Sequence, residues 1–480
     1  MKKHPSNKAE QTVVVGPPGT GKTHTLIHKF LKEELFVRKT KPENILVTSF
    51  GNAAVDELKD RIEFTYPGIK IQIKTLHSFG VQEIKLDTRN NLLKGAEKWR
   101  RFKNFCPIAK DWNFNLSEDK DTGKKQYDEP RMKVIDYARN KLISIHRAAA
   151  ELGENTVNTF ECQQVLSDLE SFKQNNKLFE YIDMIRKFIE RKDWSSTLDV
   201  LFLDEAQDLN PLQWKMVEKL ESQCSRSYIA GDDDQSIYAF QSASPEMFIK
   251  LKGKEYPLIK SVRVPKKIHK LATNILKQIS NRRNKNWDPK EEEGRIEPIN
   301  NLDRFDFTQN EYLILFRNNW FIKKVRMYLF EKGIYFKSKV HELLYPPEKD
   351  KVANLDTIKI WERLNKGAEI NLKEAKLLYK RGLSYTKGHV KRGFAQGKFE
   401  DKETFTLEEL KKEHGLLLEG DWDKLNLTQE QIKYITTIRK TDNIYKDPRI
   451  ELSTIHSAKG GESENVILYL DMLWKTKKGA

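Results

Sequence analysis

The sequence predicts an α/β protein with two strand–helix cores, each interrupted by a long helical block. Three observations carry that prediction. An apolar run at residues 198–203 ends in Asp204-Glu205-Ala206-Gln207-Asp208. A second, at residues 228–230, ends in Gly231-Asp232-Asp233-Asp234-Gln235-Ser236-Ile237-Tyr238. Each reads as a buried strand that delivers carboxylates and an amide at its C-terminal end, where open α/β sheets bind ligands. Far upstream, Gly16-Pro17-Pro18-Gly19-Thr20-Gly21-Lys22-Thr23 fits the phosphate-loop pattern G-x-x-x-x-G-K-[ST].

The elements follow in order. Residues 12–15 form a short β-branched strand before the loop. Leu26, Ile27, Phe30, Leu31 and Leu35 recur on one face of the helix after it. Strands are expected at 44–48 and 69–73, with a helix at 53–62. From 86 to 194 the pattern turns helical and charged, with amphipathic runs at 131–150, 160–172 and 179–190. The first core is therefore expected over 1–85 and 195–257, with 86–194 inserted. A second core begins near Leu258. It holds a strand at 311–316, a helix at 321–332 and a turn at 333–336 leading into another strand. Residues 339–448 are lysine-rich and mostly helical, and strands at 450–454 and 465–470 resume the core over 449–480.

The phosphate loop carries its own chemistry. Glycines let backbone N–H groups curl around phosphates, and the following helix adds a favourable dipole. Lys22 would reach the β- and γ-phosphates and Thr23 would hold Mg²⁺. Asp204 would partner that ion from outside its direct ligands, and Glu205 would orient the attacking water as a base. A Gly/Pro-rich loop with an incidental lysine is the alternative. A strand, a helix and a downstream Asp-Glu pair in the right order argue against it.

Lys plus Arg exceed Asp plus Glu by 86 − 70 = 16, and the isoelectric point is about 9.3. The excess suits a polyanionic partner, most simply nucleic acid, or reflects a lysine-rich proteome. Cys106, Cys162 and Cys224 share no close spacing, which argues for a reducing compartment and against disulfides or structural zinc. Residues 1–11 contain no apolar signal stretch, and no run approaches membrane-spanning length. A cytoplasmic setting, bacterial or phage-type, is expected.

The chain resembles the UvrD/Rep/PcrA-type helicases of superfamily 1A, in order from Gly16 to about Leu470. Beyond the phosphate loop, Thr48-Ser49-Phe50-Gly51-Asn52-Ala53-Ala54 resembles the family's T-F-T-N-x-A-A segment. Thr75-Leu76-His77-Ser78-Phe79 resembles its T-F-H-S segment. Gly231–Tyr238 follows G-D-D-D-Q-S-I-Y, and Thr454-Ile455-His456-Ser457-Ala458-Lys459-Gly460 resembles T-x-H-S-A-K-G. The resemblance implies two RecA-like domains, each with a helical insertion, with ATP between them and single-stranded DNA across both. It implies that Gln235 senses the γ-phosphate and that Arg263, in Ser261-Val262-Arg263-Val264, reaches across the cleft as an arginine finger. His24 would lie beside the nucleotide and Glu462 would contact the ribose.

Flat rings among basic groups bind single strands without reading sequence. The resemblance places Phe50, Phe79, Tyr238 and Phe240 in or beside the DNA-contact segments, with Asn52, His77 and His456 as polar contacts. Core packing is the alternative for each ring. At Lys387-Gly388-His389-Val390-Lys391-Arg392 a duplex grip competes with a solvated helix face.

The departures from the family pattern cluster on the nucleotide base. The upstream adenine-reading glutamine has no counterpart, because Gln11 lies on the strand itself. His24 stands where the family has arginine, and Val262 where it has a stacking tyrosine. GTP or CTP is therefore expected to be hydrolysed nearly as well as ATP. Phe240 replaces a tryptophan and Gln241 an arginine. The family's last motif, V-A-x-T-R-A, has no counterpart before Ala480, which leaves the second core C-terminally incomplete. A fragment, a second polypeptide completing the motor, or Arg263 acting alone are the three readings. The leading expectation is an ATP-dependent, Mg²⁺-using helicase or translocase. It would move 3′ to 5′ on single-stranded DNA and at single/double-strand junctions, in replication, repair or recombination. The alternatives are a catalytically weak nucleic-acid-binding accessory protein and the motor subunit of a nuclease complex.

Overall fold

The computed structural model describes residues 9–471, other than 89, 115, 119–124, 128, 193, 195, 239–241, 308, 339–354, 395–398, 400–402 and 442–443. Phe240 and Gln241 thus lie outside the described residues. The chain divides into two compact units: Met1–Ser117 with Gln126–Pro298, and Glu118–Lys125 with Ile299–Ala480. Residues 258–298 stay with the first unit, held by contacts at Ser261 and Lys285 described below.

The first unit is built on six parallel strands: β1 (Glu10–Val15), β2 (Ile45–Ser49), β3 (Gln72–Ile73), β4 (Val200–Asp204), β5 (Arg226–Gly231) and β6 (Lys254–Pro257). Their order is β3-β2-β4-β5-β1-β6. Parallel sheets are covered on both faces, so their strands read as continuous apolar runs. Alternate residues divide between two cores. Val13, Val15, Leu46, Leu201, Leu203 and Ile229 pack on one side, and Val14, Ile45, Val47, Val200, Phe202, Tyr228 and Ala230 on the other. Full burial of such a side chain contributes about 1.5–3 kcal/mol. β6 was not legible in the sequence. It is an edge strand with mostly exposed, charged residues and no apolar signal.

Helix α1 (Lys22–Thr25) leaves the phosphate loop and continues through wide π-type turns at Leu26–Leu31 and Glu33–Val37. Its buried residues include Leu26, Ile27, Phe30 and Leu31, as the periodicity predicts. Helices α2 (Asn52–Thr65) and α3 (Leu76–Ile84) follow β2 and β3.

Between β3 and β4 the chain forms α4 (Ala96–Phe105), α5 (Pro130–Lys141), α6 (Ile145–Leu152), α7 (Thr159–Asn175) and α8 (Tyr181–Glu190). The single run expected at 131–150 is two helices. Leu142 turns left-handed at φ +57°, and the Ser144 hydroxyl accepts from the Arg147 N–H to start the next helix. This block has its own core around Trp99, Phe102, Trp112, Phe114, Ile135, Val165, Leu169 and Phe172. It also buries ions. Arg139 lies 2.8 Å from Glu180, and Lys173 lies 2.7 Å from Asp183 and 3.0 Å from Glu180. The first unit closes with α9 (Pro211–Glu221), α10 (Pro245–Ile249) and α11 (Lys266–Leu276).

The second unit has a four-stranded parallel sheet: β7 (Tyr312–Phe316), β8 (Phe336–Ser338), β9 (Ile450–Thr454) and β10 (Val466–Tyr469), in the order β8-β9-β7-β10. Helix α12 (Asn319–Glu331) packs Phe321, Ile322, Val325 and Leu329 onto Ile314, Phe316, Ile450, Leu452 and Ile467. Between β8 and β9 lie α13 (Leu355–Asn365), α14 (Leu372–Leu377), α15 (Leu407–Lys412) and α16 (Gln429–Thr441). Their separate core includes Trp361, Tyr379, Leu410, Ile435 and Ile438. Of the Lys387–Arg392 run, His389 and Val390 are buried and the lysines and Arg392 are exposed.

Candidate nucleotide and nucleic-acid site

The phosphate loop joins β1 to α1 at the C-terminal edge of the first sheet. Its first residue is anchored by the Gly16 N–H, which donates to Gly231 O at 3.2 Å. Gly19 adopts φ +72°, and a Cβ there would strike the Arg263 side chain and Ser261 Oγ. Only glycine suits both the backbone and the space. Lys22 Nζ donates to Gly16 O at 3.1 Å and lies 3.8 Å from Glu205 Oε1.

The Asp-Glu pair sits two strands away from β1, at the end of β4, with β5 between them. Thr23 Oγ1 donates to Asp204 Oδ2 at 2.6 Å, so the two expected Mg²⁺ residues meet across 181 positions of sequence. Burial and the neighbouring Glu205 carboxylate push the Asp204 pKa up, against the Thr23 hydrogen bond and the Lys22 charge. A bound cation would reverse that direction. The Thr23 hydroxyl is a hard oxygen donor of the kind Mg²⁺ takes when phosphates and water supply the rest, and the Asp204 carboxylate is placed behind it to accept hydrogen bonds from such ligands. Among the described residues, no group of three or more His, Cys, Asp or Glu side chains is arranged to hold a metal ion.

Glu205 has φ +54°, a left-handed backbone conformation directly after the strand. Gln207 holds its carboxylate, with Nε2 donating to Glu205 Oε2 at 2.6 Å. The other end of the same amide, Oε1, accepts the Asp232 N–H at 2.9 Å. Asp232 Oδ2 in turn accepts Gln235 Nε2 at 2.7 Å. A hydrogen-bonded chain therefore runs from Glu205 through Gln207 and Asp232 to Gln235. Gln207 is fully buried and had no role assigned from sequence. Its only signal was its place between Glu205 and Asp208.

Arg263 belongs to the first compact unit. The physical reason is local. Ser261 Oγ donates to Pro18 O at 2.8 Å and the Val262 N–H donates to Gly19 O at 3.0 Å. The phosphate loop itself thus carries the arginine's backbone. Val262, in the expected base-stacking position, is 80% exposed. His24 is exposed and its ring stands 4.2 Å from that of His28.

The expected DNA-contact residues separate into groups. Phe50 and Tyr238 stack on each other, with centroids 5.5 Å apart and planes at 23°. Burial, then Asp208 and Glu205, push the Tyr238 phenol up to about 12. Its ring thus lies within electrostatic reach of the Glu205 carboxylate. Asn52 is exposed in the first turn of α2. His77 is partly exposed, and desolvation lowers its pKa to about 4, so it is neutral at pH 7. Phe79 is corrected: it is fully buried, edge-on to Phe188 at 5.6 Å, and presents no face to a base. In the second unit, His456 is buried after β9 with Arg317 Nη1 at 3.3 Å from Nε2, and Glu462 is exposed.

A phosphate loop after β1, an Asp-Glu pair after β4 and a glutamine-bearing acidic loop after β5 define the class of P-loop nucleotide-binding proteins. Within that class, the N-terminal domain of UvrD/REP helicases matches residues 2–256, over half of the chain. The chain belongs to that family, a family of ATP-dependent DNA helicases. It is 28% identical over 312 residues to the ATP-dependent DNA helicase PcrA of Bacillus subtilis, covering 58% of this chain and 39% of that one. It is 26% identical over 271 residues to the ATP-dependent DNA helicase Rep of Buchnera aphidicola, covering 52% and 40%. It is 25% identical over 285 residues to the ATP-dependent DNA helicase Rep of Escherichia coli, covering 55% and 41%. The matches span about two fifths of the length of these relatives. No helix among the described residues is long and apolar enough to cross a membrane.

Proposed function

We propose that the chain hydrolyses ATP to drive movement along single-stranded DNA, 3′ to 5′, and acts at single/double-strand junctions in replication, repair or recombination. The two parallel-sheet cores act as RecA-like domains, and the helical blocks at 86–194 and 339–448 are their insertions. The observation that carries this reading is the chain Glu205–Gln207–Asp232–Gln235, with Tyr238 three residues further on. It joins the hydrolytic carboxylate to a loop that ends in the stacked pair Tyr238–Phe50.

In this mechanism Lys22 neutralises charge on the transferred phosphate; Thr23 would hold Mg²⁺ and Asp204 would partner the ion from outside its direct ligands. The ion, when bound, offsets charge on the phosphate oxygens. Glu205 orients water for attack on the γ-phosphorus and accepts its proton as the bond to the β-bridging oxygen breaks. Gln235 senses the γ-phosphate, and Arg263 stabilises charge at the phosphates from its seat against Gly19. Loss of the phosphate resets the Asp232 loop and, with it, the ring at Tyr238. Phe50, Asn52, His77 and His456 contact the strand, and His24 and Glu462 lie beside the nucleotide.

The test is steady-state ATP hydrolysis with and without single-stranded DNA, with Lys22→Ala as the blank. Stimulation by DNA in the wild type alone supports a motor. DNA binding without turnover in either protein would make the chain a binding accessory instead.

A further inference from the structure

The loop after β5 carries three consecutive aspartates, and one lysine some fifty residues downstream serves all three. Lys285 Nζ lies 2.6 Å from Asp232 Oδ1, 2.6 Å from Asp233 Oδ1 and 2.7 Å from Asp234 Oδ2. The lysine side chain is 3% exposed, and the three carboxylates are 1%, 2% and 8% exposed. Arg282 grips Asp234 with two prongs, at 2.8 and 2.6 Å. The Arg283 N–H donates to Asp233 at 2.8 Å, while its guanidinium donates to the carbonyls of Phe248 and Leu251. Burial opposes the charge on Lys285, but the aspartates outweigh it and raise the lysine's pKa.

Buried ions are a costly way to fasten a segment. Well-packed apolar side chains of the same volume hold as well or better, because neither charge must leave water. What an ion cluster adds is direction. Here the direction matters, because Asp232 is the hinge of the chain described above. One of its oxygens takes Lys285 and the other takes the Gln235 amide. Its N–H fixes the Gln207 amide, which holds Glu205. The segment that supplies Lys285 also carries Ser261, whose hydroxyl is bonded to Pro18 of the phosphate loop, and the Ser261 N–H donates to Asp288 O at 2.9 Å. One stretch of chain, 261–288, thus fastens the phosphate loop at one end and the acidic loop at the other.

We propose that Lys285 is a positioning residue for nucleotide hydrolysis: through Asp232 it sets Gln235 directly and Glu205 by way of Gln207. The inference rests on the hydrolysis reading above. It assigns control of that chemistry to a basic segment that touches neither the phosphate-loop motif nor the Asp-Glu motif in sequence.

The experiment compares Lys285→Met and Lys285→Arg with the wild type and with Lys22→Ala. It measures DNA-stimulated ATP turnover, affinity for a fluorescent ATP analogue, and melting temperature. In Lys285→Met, kcat is expected to fall roughly 10–100-fold, the scale of a catalytic group displaced by about 1 Å, while analogue affinity stays within about threefold. Lys285→Arg, which keeps the charge, is expected to recover most of the turnover. Wild-type kcat in folded Lys285→Met would overturn the inference, whatever its melting temperature. So would a loss of analogue affinity with kcat unchanged. If Lys285→Met does not fold, Gln207→Met removes the amide link without disturbing the ions, and the same split is expected; wild-type turnover there overturns the relay. If the wild type hydrolyses no more ATP than Lys22→Ala, the hydrolysis reading itself fails and takes this inference with it, a result distinct from all the others.

Discussion

The helical block of the first unit and the sheet edge of the same unit each bury a cluster of charged side chains. In the block, Arg139 and Lys173 face Glu180 and Asp183, two cations against two anions, between helices α5, α7 and α8. At the sheet edge, Lys285 and Arg282 face three aspartates on one short loop. The first cluster joins three helices, and its Glu180 and Asp183 also form the capping box of α8. The second is bonded onward to Gln235 and, through Gln207, to Glu205. Similar ion pairs therefore do different work: one staples a bundle, the other aims side chains.

The sharpest test of that contrast lies at the aimed end. Glu205→Gln should lower DNA-stimulated turnover by roughly 10²–10⁴-fold, the usual contribution of a general base, with melting temperature unchanged. Substantial turnover would remove Glu205 from the chemistry. The staple should respond in the opposite way. Glu180→Gln should cost about 3–5 kcal/mol of stability by stranding buried cations, while kcat per folded molecule stays at the wild-type value. Its pH dependence has a definite sign. Burial would raise the Glu180 pKa, but Arg139 and Lys173 hold it at about 2, below the ordinary 4.5. The stabilisation is then complete above pH 4.5 and is lost as pH falls toward 2. Melting curves of wild type and Glu180→Gln should converge over that range; a constant gap would break the assignment.

Two aromatic rings extend the comparison with smaller effects. Phe50→Ala should weaken single-stranded DNA binding by about 1–3 kcal/mol, the value of one stacked base. Phe79→Leu should instead lower the melting temperature with DNA affinity unchanged, since its ring packs on Phe188. A DNA defect in Phe79→Leu would reverse the two roles. The smallest expected effect concerns the base. With Val262 exposed and His24 in place of a stacking arginine, kcat/KM for GTP and CTP should lie within about tenfold of ATP, or about 1.4 kcal/mol. A strong ATP preference would show that other residues read the adenine.

Much of the sheet was legible because parallel strands buried on both faces are continuous apolar runs, and 198–203 and 228–230 read plainly as such. The edge strand Lys254–Pro257 was not, because exposure removes the hydrophobic signal. The break at Leu142 leaves no sequence signal for a related reason: the apolar period continues through it while the backbone turns left-handed. At the candidate site, local motifs single out Lys22, Thr23, Asp204 and Glu205. They do not single out Gln207 and Lys285, whose hydrogen bonds reach partners 25 and 53 positions away.

The sequence by itself determined the α/β class, the phosphate loop, the acidic strand ends and the likeness to a helicase family. These are set by local periodicity and by residue types that phosphate chemistry demands at fixed spacing. The tertiary structure alone decided that Thr23 meets Asp204, that Phe79 belongs to the core and that Arg263 rides on the phosphate loop. It also decided that a lysine from a featureless basic stretch anchors the acidic loop after β5. The reason is physical: ion pairs and hydrogen bonds between distant segments leave no period in the chain, and only folding brings their partners within 3 Å.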